Sequence, residues 1–484
     1  MSDKAIKGLN PKAIWQHFYE LTQVPRPSKR EEKAVEFVKQ YAIKNNFKFK
    51  EDHVGNVVIH VPGTKGKEKS KTIVLQGHVD MVCEKNKGTK HDFDNDPIKL
   101  IRDGEWITAD GTTLGADNGI GVAAGMAVAL DPKAVHGPLE LLCTIDEETG
   151  MTGVNEIQPG FITGRTLLNM DSEEDGAFYV GCSGGQDTVG RFPLDLTRAK
   201  KGTQPYEIMV TGLKGGHSGL DAHLGRANAI KLLGQLLNTL NVTYQIAQIT
   251  GGSLRNAIPR EAEAVVMLNP KDIRKVKATV KQFVADSLLE YNTSDGGLVV
   301  NVKKLNKKFS KVLKKDLSDN LVSAILALPH GVMAMSADIP GLVETSTNLA
   351  TLKMDDKNIT IGTSQRSSIT NAKINVTNMV VAVLKLAGAN AVIGDSYPGW
   401  QPNMKSNLLK VSKVAFKKLF KKEPEIKAIH AGLETGLLGS KYPGIDMISF
   451  GPTIQGAHSP DERLNIKDVE KFYNLLKGIL KELA

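Results

Sequence analysis

The sequence predicts an α/β protein: a discontinuous mixed-sheet domain with helices on both faces, interrupted by an inserted α+β lid. Three observations carry this expectation. Short apolar runs rich in branched side chains alternate with helix-like stretches through the first third of the chain, the pattern of strands crossing over through helices. The middle of the chain changes to alternating strands with a clear hairpin. The strand and helix alternation then resumes after a breaker-dense segment near residue 400. The outer domain accordingly reads as 1–186 plus 400–484 and the lid as 187–399; a chain of 484 residues is in any case longer than one core usually supports.

In chain order, Val57–Val61, Ile73–Gln76, Leu139–Ile145 and Leu167–Met170 have strand length and composition, and the alanine-rich Ile120–Leu130 is apolar at helical spacing. After the glycine-rich 181–185, helices are expected at 225–240, 271–290 and 316–327. Glu344–Met354 and Ile359–Ser368 form the hairpin, joined by Asp355-Asp356-Lys357-Asn358, residues that favour turns. Residues 394–402 (Gly-Asp-Ser-Tyr-Pro-Gly-Trp-Gln-Pro) read as a linker. Beyond it, strands at Ile426–Ile429 and Asp446–Phe450 alternate with helices at 405–420 and 467–482.

Composition narrows the class. With 41% hydrophobic and 24% charged residues, disordered and fibrous proteins are excluded. The N-terminal stretch has no apolar run with a cleavage site, and no window holds ~18 uninterrupted apolar residues, so neither secretion nor a membrane partner is expected. Three cysteines (Cys83, Cys143, Cys182), odd in number and far apart, suit reduced thiols in a cytoplasmic protein. The net charge of +9 is spread out, and the lysine runs at 65–71 and 303–315 lack interleaved aromatics and nucleic-acid motifs. They read as solvated faces, with no nucleic-acid partner.

Four strand-like runs end in side chains able to bind metal: His78 and Asp80; Asp146, Glu147 and Glu148; Asp171; and, beyond Phe450, His458. In an open α/β sheet the ligand crevice lies beyond the carboxyl ends of the strands, so such ends converge. His78 and Asp80, two apart, share a face of an extended chain, which lets the aspartate buttress the imidazole; alone, the pair is equally a surface pair. Asp117 opens the alanine-rich helix and reads either as an N-cap or, given Gly115, Gly119 and Gly121, as a carboxylate that can approach an ion closely. Glu147 and Glu148 diverge at a strand end, so that one can bind metal while the other faces substrate; a solvated strand end is the alternative, as it is for Asp171. Two histidines with three carboxylates favour zinc, with manganese or cobalt as substitutes. Two ions sharing a carboxylate would acidify a water and polarise a carbonyl, as peptide hydrolysis requires.

Together, Gly-His-Val-Asp at 77–80, Gly-Ala-Asp-Asn-Gly at 115–119, Asp-Glu-Glu-Thr-Gly at 146–150, Asn-Met-Asp at 169–171 and Gly-Gly-His-Ser-Gly at 215–219 resemble the dinuclear-zinc peptidases that include carnosinases, aminoacylases and succinyl-diaminopimelate desuccinylases. The likeness runs in order over nearly the whole chain and includes His-Ala-Gly-Leu-Glu434 and Gly-Ala-His458-Ser-Pro. It implies two zinc ions, one held by His78, Asp117 and Asp171 and the other by Asp117, Glu148 and His458, with Asp80 behind His78 and Glu147 as general base. It also implies substrate contacts by His217 (to the scissile carbonyl oxygen, in its own or a partner subunit's site), Asn256, Arg366 (to the carboxylate) and Glu434 (to the ammonium). Without the resemblance, His217 is a histidine in a glycine-rich turn and Arg366 an exposed strand residue. Aspartate at 171, where relatives acting on N-acylated substrates have glutamate, implies small unblocked dipeptides as substrates. A homodimer, with the 187–399 lid as its dimerisation domain, and a cis Asp117-Asn118 bond are further implications. The alternatives are an N-acyl-amino-acid deacylase of the same architecture and a non-catalytic metal-binding homologue.

Overall fold

A computed structural model describes residues 3–484. It divides into two compact units: the chain up to Gly181 with Pro402–Ala428 and Leu433–Ala484, and Cys182–Gln401 with Ile429–Gly432. The four-residue return, 429–432, had no signal in the sequence.

The first unit is built on an eight-stranded sheet in the order 48–51, 57–61, 139–144, 73–78, 166–169, 446–449, 177–182, 425–429. Its four central strands are parallel, with 73–78 flanked by 139–144 and 166–169, and 446–449 beside 166–169; the outer 48–51 and 57–61 run antiparallel. Burial of the central strands makes them continuous apolar runs, which is why they were legible. Helix Ala116–Leu130 packs on 73–78 and 139–144, and Asn407–Phe420 on 446–449. Phe178, Phe416, Phe450 and Phe472 make a chain of edge-to-face rings behind the sheet, with centroids 5.4–5.9 Å apart. A separate four-stranded sheet (454–455, 463–465, 106–109, 100–103) was not anticipated; its strands are only two to four residues long, too short for a periodicity to show. It frames the loop that carries His458.

The second unit is a nine-stranded antiparallel sheet with helices Ala229–Thr239, Ile273–Asp295, Lys315–Ala327 and Thr370–Leu386. The hairpin forms as Val343–Met354 and Asn358–Ser367, its turn closed by Asp355 Oδ1 accepting the amides of Lys357 (2.7 Å) and Asn358 (2.8 Å). The first helix starts at Ala229 rather than 225, because Gly225 is left-handed (φ +59°) and the Asn228 side chain caps Ile230 and Lys231. The linker expectation is corrected: Asn390–Tyr397 is a strand paired with 184–193, and only the segment after it is irregular. An edge strand tolerates the glycine and polar residues that read as breakers. At the opposite edge, strand Val299–Lys304 ends in exposed Lys303 and Lys304, and the 303–315 lysines are solvent-facing as expected; charge there blunts an edge that would otherwise pair with another chain.

Phe178 is fully buried at the centre of the aromatic chain. Phe178→Ala is expected to lower the unfolding free energy by about 3–5 kcal/mol, read from urea denaturation; a loss under about 1 kcal/mol would contradict the packing described.

Candidate active site

His78, Glu147, Glu148 and Asp171 come from the carboxyl ends of parallel strands or the loops after them, whereas His458 lies in the loop between 454–455 and 463–465. His78 is the last residue of its strand, in register with Thr144, and Asp171 follows the strand ending at Asn169, which pairs with Gln76 and Ser449. These registers bring His78, Glu147, Glu148 and Asp171 together. Asp117 arrives from the start of the 116–130 helix. It does not serve as the N-cap, a position held by Gly115: its carboxylate faces two imidazoles instead, its backbone is extended (φ −79°, ψ 114°), and the Asp117-Asn118 peptide is cis as expected.

The Asp117 carboxylate stands between two imidazoles. Oδ1 lies 3.2 Å from His78 Nε2, and Oδ2 lies 3.2 Å from His458 Nε2. Asp171 Oδ1 is 3.4 Å from His78 Nε2, and Glu148 Oε2 is 3.0 Å from His458 Nε2. Two triads of potential ligand atoms, His78-Asp117-Asp171 and Asp117-Glu148-His458, therefore share one carboxylate. His78 is almost wholly buried, whereas the His458 side chain is 51% exposed, so the cluster opens to solvent at the His458 end.

The charges fit cations. Burial, reinforced by Asp117, pushes the Asp171 carboxyl up to about 7 against the pull of His78, and burial together with Asp171, Glu434 and Glu148 pushes Glu147 well up. The imidazoles respond in kind: hydrogen bonding to Asp117 and Glu148 raises His458 to about 11, and Asp171 and Asp117 raise His78 despite its burial. Glu148 Oε1 and Asp171 Oδ1 are buried with no hydrogen-bond partner. A site this rich in carboxylate, with unpartnered oxygens, fits divalent ions and the imidazole-carboxylate donor set of zinc. By contrast Glu31, Asp80 and Asp146, also close together, accept amide and hydroxyl donors at Glu31 Oε1 and at both oxygens of Asp80 and Asp146.

Asp80 does more than the spacing suggested. Its Oδ1 is 3.2 Å from His78 Nδ1, which leaves Nε2 free for an ion; its two oxygens also accept the amides of Glu147 (3.1 Å) and Glu148 (3.2 Å) and the Ser28 hydroxyl (2.8 Å). Despite burial, pairing with His78 holds it down at about 2. Beneath the site, Glu434 has no exposed surface. Its Oε2 accepts Gln76 Nε2 (2.6 Å) and Thr144 Oγ1 (2.7 Å), and Asn169 Nδ2 donates to Gln76 Oε1 (2.5 Å). Burial raises Glu434 to about 8. The structure thus places Glu434 in the floor of the site, with its Oε1 buried and without a hydrogen-bond partner.

The glycines around Asp117 also have a different reason from the one expected. A Cβ on Gly115 or Gly119 would lie 2.4 or 2.8 Å from Arg26 Nη2, and one on Gly121 would lie 2.3 Å from the Met170 carbonyl. They make room for a buried arginine and a neighbouring strand end rather than for an ion. Arg26 carried no motif, and only its bonds across the fold reveal it.

His217, Asn256 and Arg366 belong to the second unit. His217 and Asn256 come together where 216–217 pairs with 257–258, and both line a cavity of about 710 Å³. His217 Nδ1 accepts the amides of Gly219 (3.2 Å) and Leu220 (3.0 Å), so the ring proton sits on Nε2; burial and Arg366 lower its basicity. Arg366 is buried, not exposed: Nη1 donates to Tyr397 Oη (2.9 Å) and Nε has no partner. His430 shares this environment, with Nε2 2.7 Å from Ser346 Oγ, and burial with Arg366 and His217 depresses it to about 3.

Histidines and carboxylates converging at strand ends, around a shared aspartate and beside a raised glutamate, define a hydrolytic metal centre as the class of site. The chain belongs to peptidase family M20/M25/M40, whose model matches residues 74–482. It is 40% identical over 483 residues to the cytosol non-specific dipeptidase of Escherichia coli K12, with 99% of each chain covered. Among solved structures it is similar to the aminoacylhistidine dipeptidase of Vibrio alginolyticus, at 39% identity and TM-score 0.92 over 99% of each chain. It shares its fold with the aminopeptidase PepT of Bacillus cereus, at 16% identity and TM-score 0.56 over 98% of this chain and 99% of that one.

Two outcomes are expected. Asp80→Ala, which frees both His78 and the Glu147-Glu148 backbone, should weaken divalent-ion binding by roughly 10–100-fold in titrations of the chelated protein. His430 binds a proton more weakly folded than unfolded, so its contribution is complete above about pH 6.5 and is lost as pH falls towards 3. By pH 5 that loss is on the order of 2 kcal/mol, and His430→Gln should flatten the pH dependence of urea stability by that amount.

Proposed function

We propose that this chain hydrolyses small unblocked dipeptides, Xaa-His types included, with two divalent ions, zinc in the first instance and manganese or cobalt as substitutes. The observation that carries the proposal is the Asp117 carboxylate shared between His78 and His458, with Asp171 and Glu148 completing two triads. The two relatives that align over the whole chain are named as dipeptidases, which supports the substrate class. A cytoplasmic location agrees with the name of the first relative; among the described residues no helix is long and apolar enough to cross a membrane.

Bound ions would supply Lewis acidity towards the scissile carbonyl and lower the pKa of a water. The chain's own groups do the rest. Glu147, whose affinity for a proton is raised by burial among carboxylates, accepts the proton of the attacking water and returns it to the leaving amine. Asp80 keeps the base loop and His78 in place through the bonds described above. In the second unit, the His217 Nε2–H is a donor suited to a carbonyl oxygen that gains charge in the transition state, with Asn256 nearby, and the free Nε of Arg366 suits a substrate carboxylate. A homodimer is part of the same proposal, tested by sedimentation.

Chelation should abolish hydrolysis of free dipeptides and Zn²⁺, Mn²⁺ or Co²⁺ should restore it, while N-acetylated dipeptides stay uncleaved throughout. Efficient cleavage of the acetylated forms would instead favour a deacylase. Glu147→Gln should lower kcat by about 10²–10⁴-fold with two ions still bound; near-normal turnover would overturn the assignment of the base.

A further inference from the structure

One buried side chain joins the loop that carries His458 to the loop that carries Asp117. Glu462 is 2% exposed. Its Oε2 accepts the amides of Leu114 (2.7 Å) and Gly115 (2.9 Å), and its Oε1 those of Ala116 (2.8 Å) and Asp117 (3.3 Å). Four consecutive N–H groups converge on one carboxylate where the 116–130 helix begins. Amides at a helix start have no intrahelical acceptor, and the helix dipole there favours an anion.

The backbone of Glu462 closes the His458 loop. Its amide donates to the Ser459 carbonyl (3.1 Å), its carbonyl accepts Thr108 Oγ1 (2.9 Å), and the following strand, 463–465, pairs with 106–109. Within the loop, His458 has a left-handed backbone (φ +63°) and a half-exposed side chain whose Nε2 meets Asp117 Oδ2 and Glu148 Oε2. From elsewhere in the unit, Arg26 secures the same Asp117 loop by its carbonyl: Nη2 donates to Gly115 O (2.5 Å), while Nη1 reaches the carbonyls of Val79 and Asp80 (2.9 Å each), just past His78.

We propose that Glu462 is a positioning residue of the metal centre: by seating its carboxylate on the amides of 114–117 it locks the Asp117 loop to the His458 loop and sets the separation of these two ligand candidates. The proposal rests on the two-ion reading of the preceding section. A carboxylate is required because all four partners are donors. A glutamine would turn an NH₂ group towards two of them and leave those amides buried without an acceptor. An aspartate keeps the charge on a stem one methylene shorter. The ion held by Asp117, Glu148 and His458 depends most on the lock, since two of its three candidate ligands lie on the joined loops; the ion at His78 and Asp171 draws only Asp117 from them.

The test titrates the chelated full-length chain with Co²⁺ alone, by calorimetry and by the absorption of the bound ion, for the parent, Glu462→Gln, Glu462→Asp and His458→Ala. Glu462→Gln is expected to lose about tenfold or more in affinity for one ion, the ion also lost in His458→Ala, with the other affected less and Glu462→Asp intermediate. Both affinities staying within about twofold of the parent would overturn the proposal. So would a parallel fall of both in the glutamine and aspartate variants together with a lowered Tm of the metal-free protein, which marks a general structural role. Should the glutamine variant fail to fold, the aspartate variant carries the same comparison. A parent chain that takes up no Co²⁺ overturns the two-ion reading and this inference with it, and is told apart because it needs no variant.

Discussion

The site depends on one carboxylate held between two imidazoles. Asp117 directs one oxygen at His78 and the other at His458, and every neighbouring feature can be understood as a means of keeping that carboxylate there. A buried aspartate among other acids is costly, and two histidines do not balance four carboxylates. Nearby Asp171 and Glu147 bear the imbalance as raised proton affinity. The loop that presents Asp117 is fixed through its amides by Glu462 and through a carbonyl by Arg26, so opposite charges hold opposite ends of the same peptide dipoles.

The surrounding polar groups form a connected network, in which Glu434 Oε1 and Asn169 Oδ1 stay buried without a hydrogen-bond partner. Asp80 ties the end of the His78 strand to the loop of Glu147 and Glu148, so the residue behind the imidazole also sets the backbone of the candidate base. Below it, Gln76, Asn169, Thr144 and Glu434 bond to one another across three strands. Networks of this kind resist rearrangement because each broken bond leaves a buried polar atom in a medium of low dielectric. Rigid support suits a site in which proton transfer requires fixed distances.

The second unit holds groups of another chemical kind. They include a His217 that presents Nε2–H and whose basicity burial lowers, a buried Arg366 and a His430 depressed by burial, whereas carboxylates predominate among the candidates of the first unit. The chain's membership of peptidase family M20/M25/M40 and its full-length similarity to two proteins named as dipeptidases give the metal-ligand candidates of the first unit their context.

The parallel strands, the helix after Asp117 and the candidate ligands at the strand ends could be read from the chain because each leaves a local mark: a run of branched apolar residues, or a histidine and acids just beyond it. The edge strand 390–397 could not, since its glycine and polar residues look like a turn until a neighbouring strand supplies the hydrogen bonds. The glycines at 115, 119 and 121 were visible, but their purpose was not. Arg26 and Glu462 left no mark at all: their partners are backbone groups 89 and about 348 positions away, and every residue type carries the same amide and carbonyl. Sequence by itself determined which side chains could bind metal and on which elements they would lie. Only the tertiary structure decided how the loops bearing them are held in register, because that depends on backbone hydrogen bonds between distant segments, which no residue identity records.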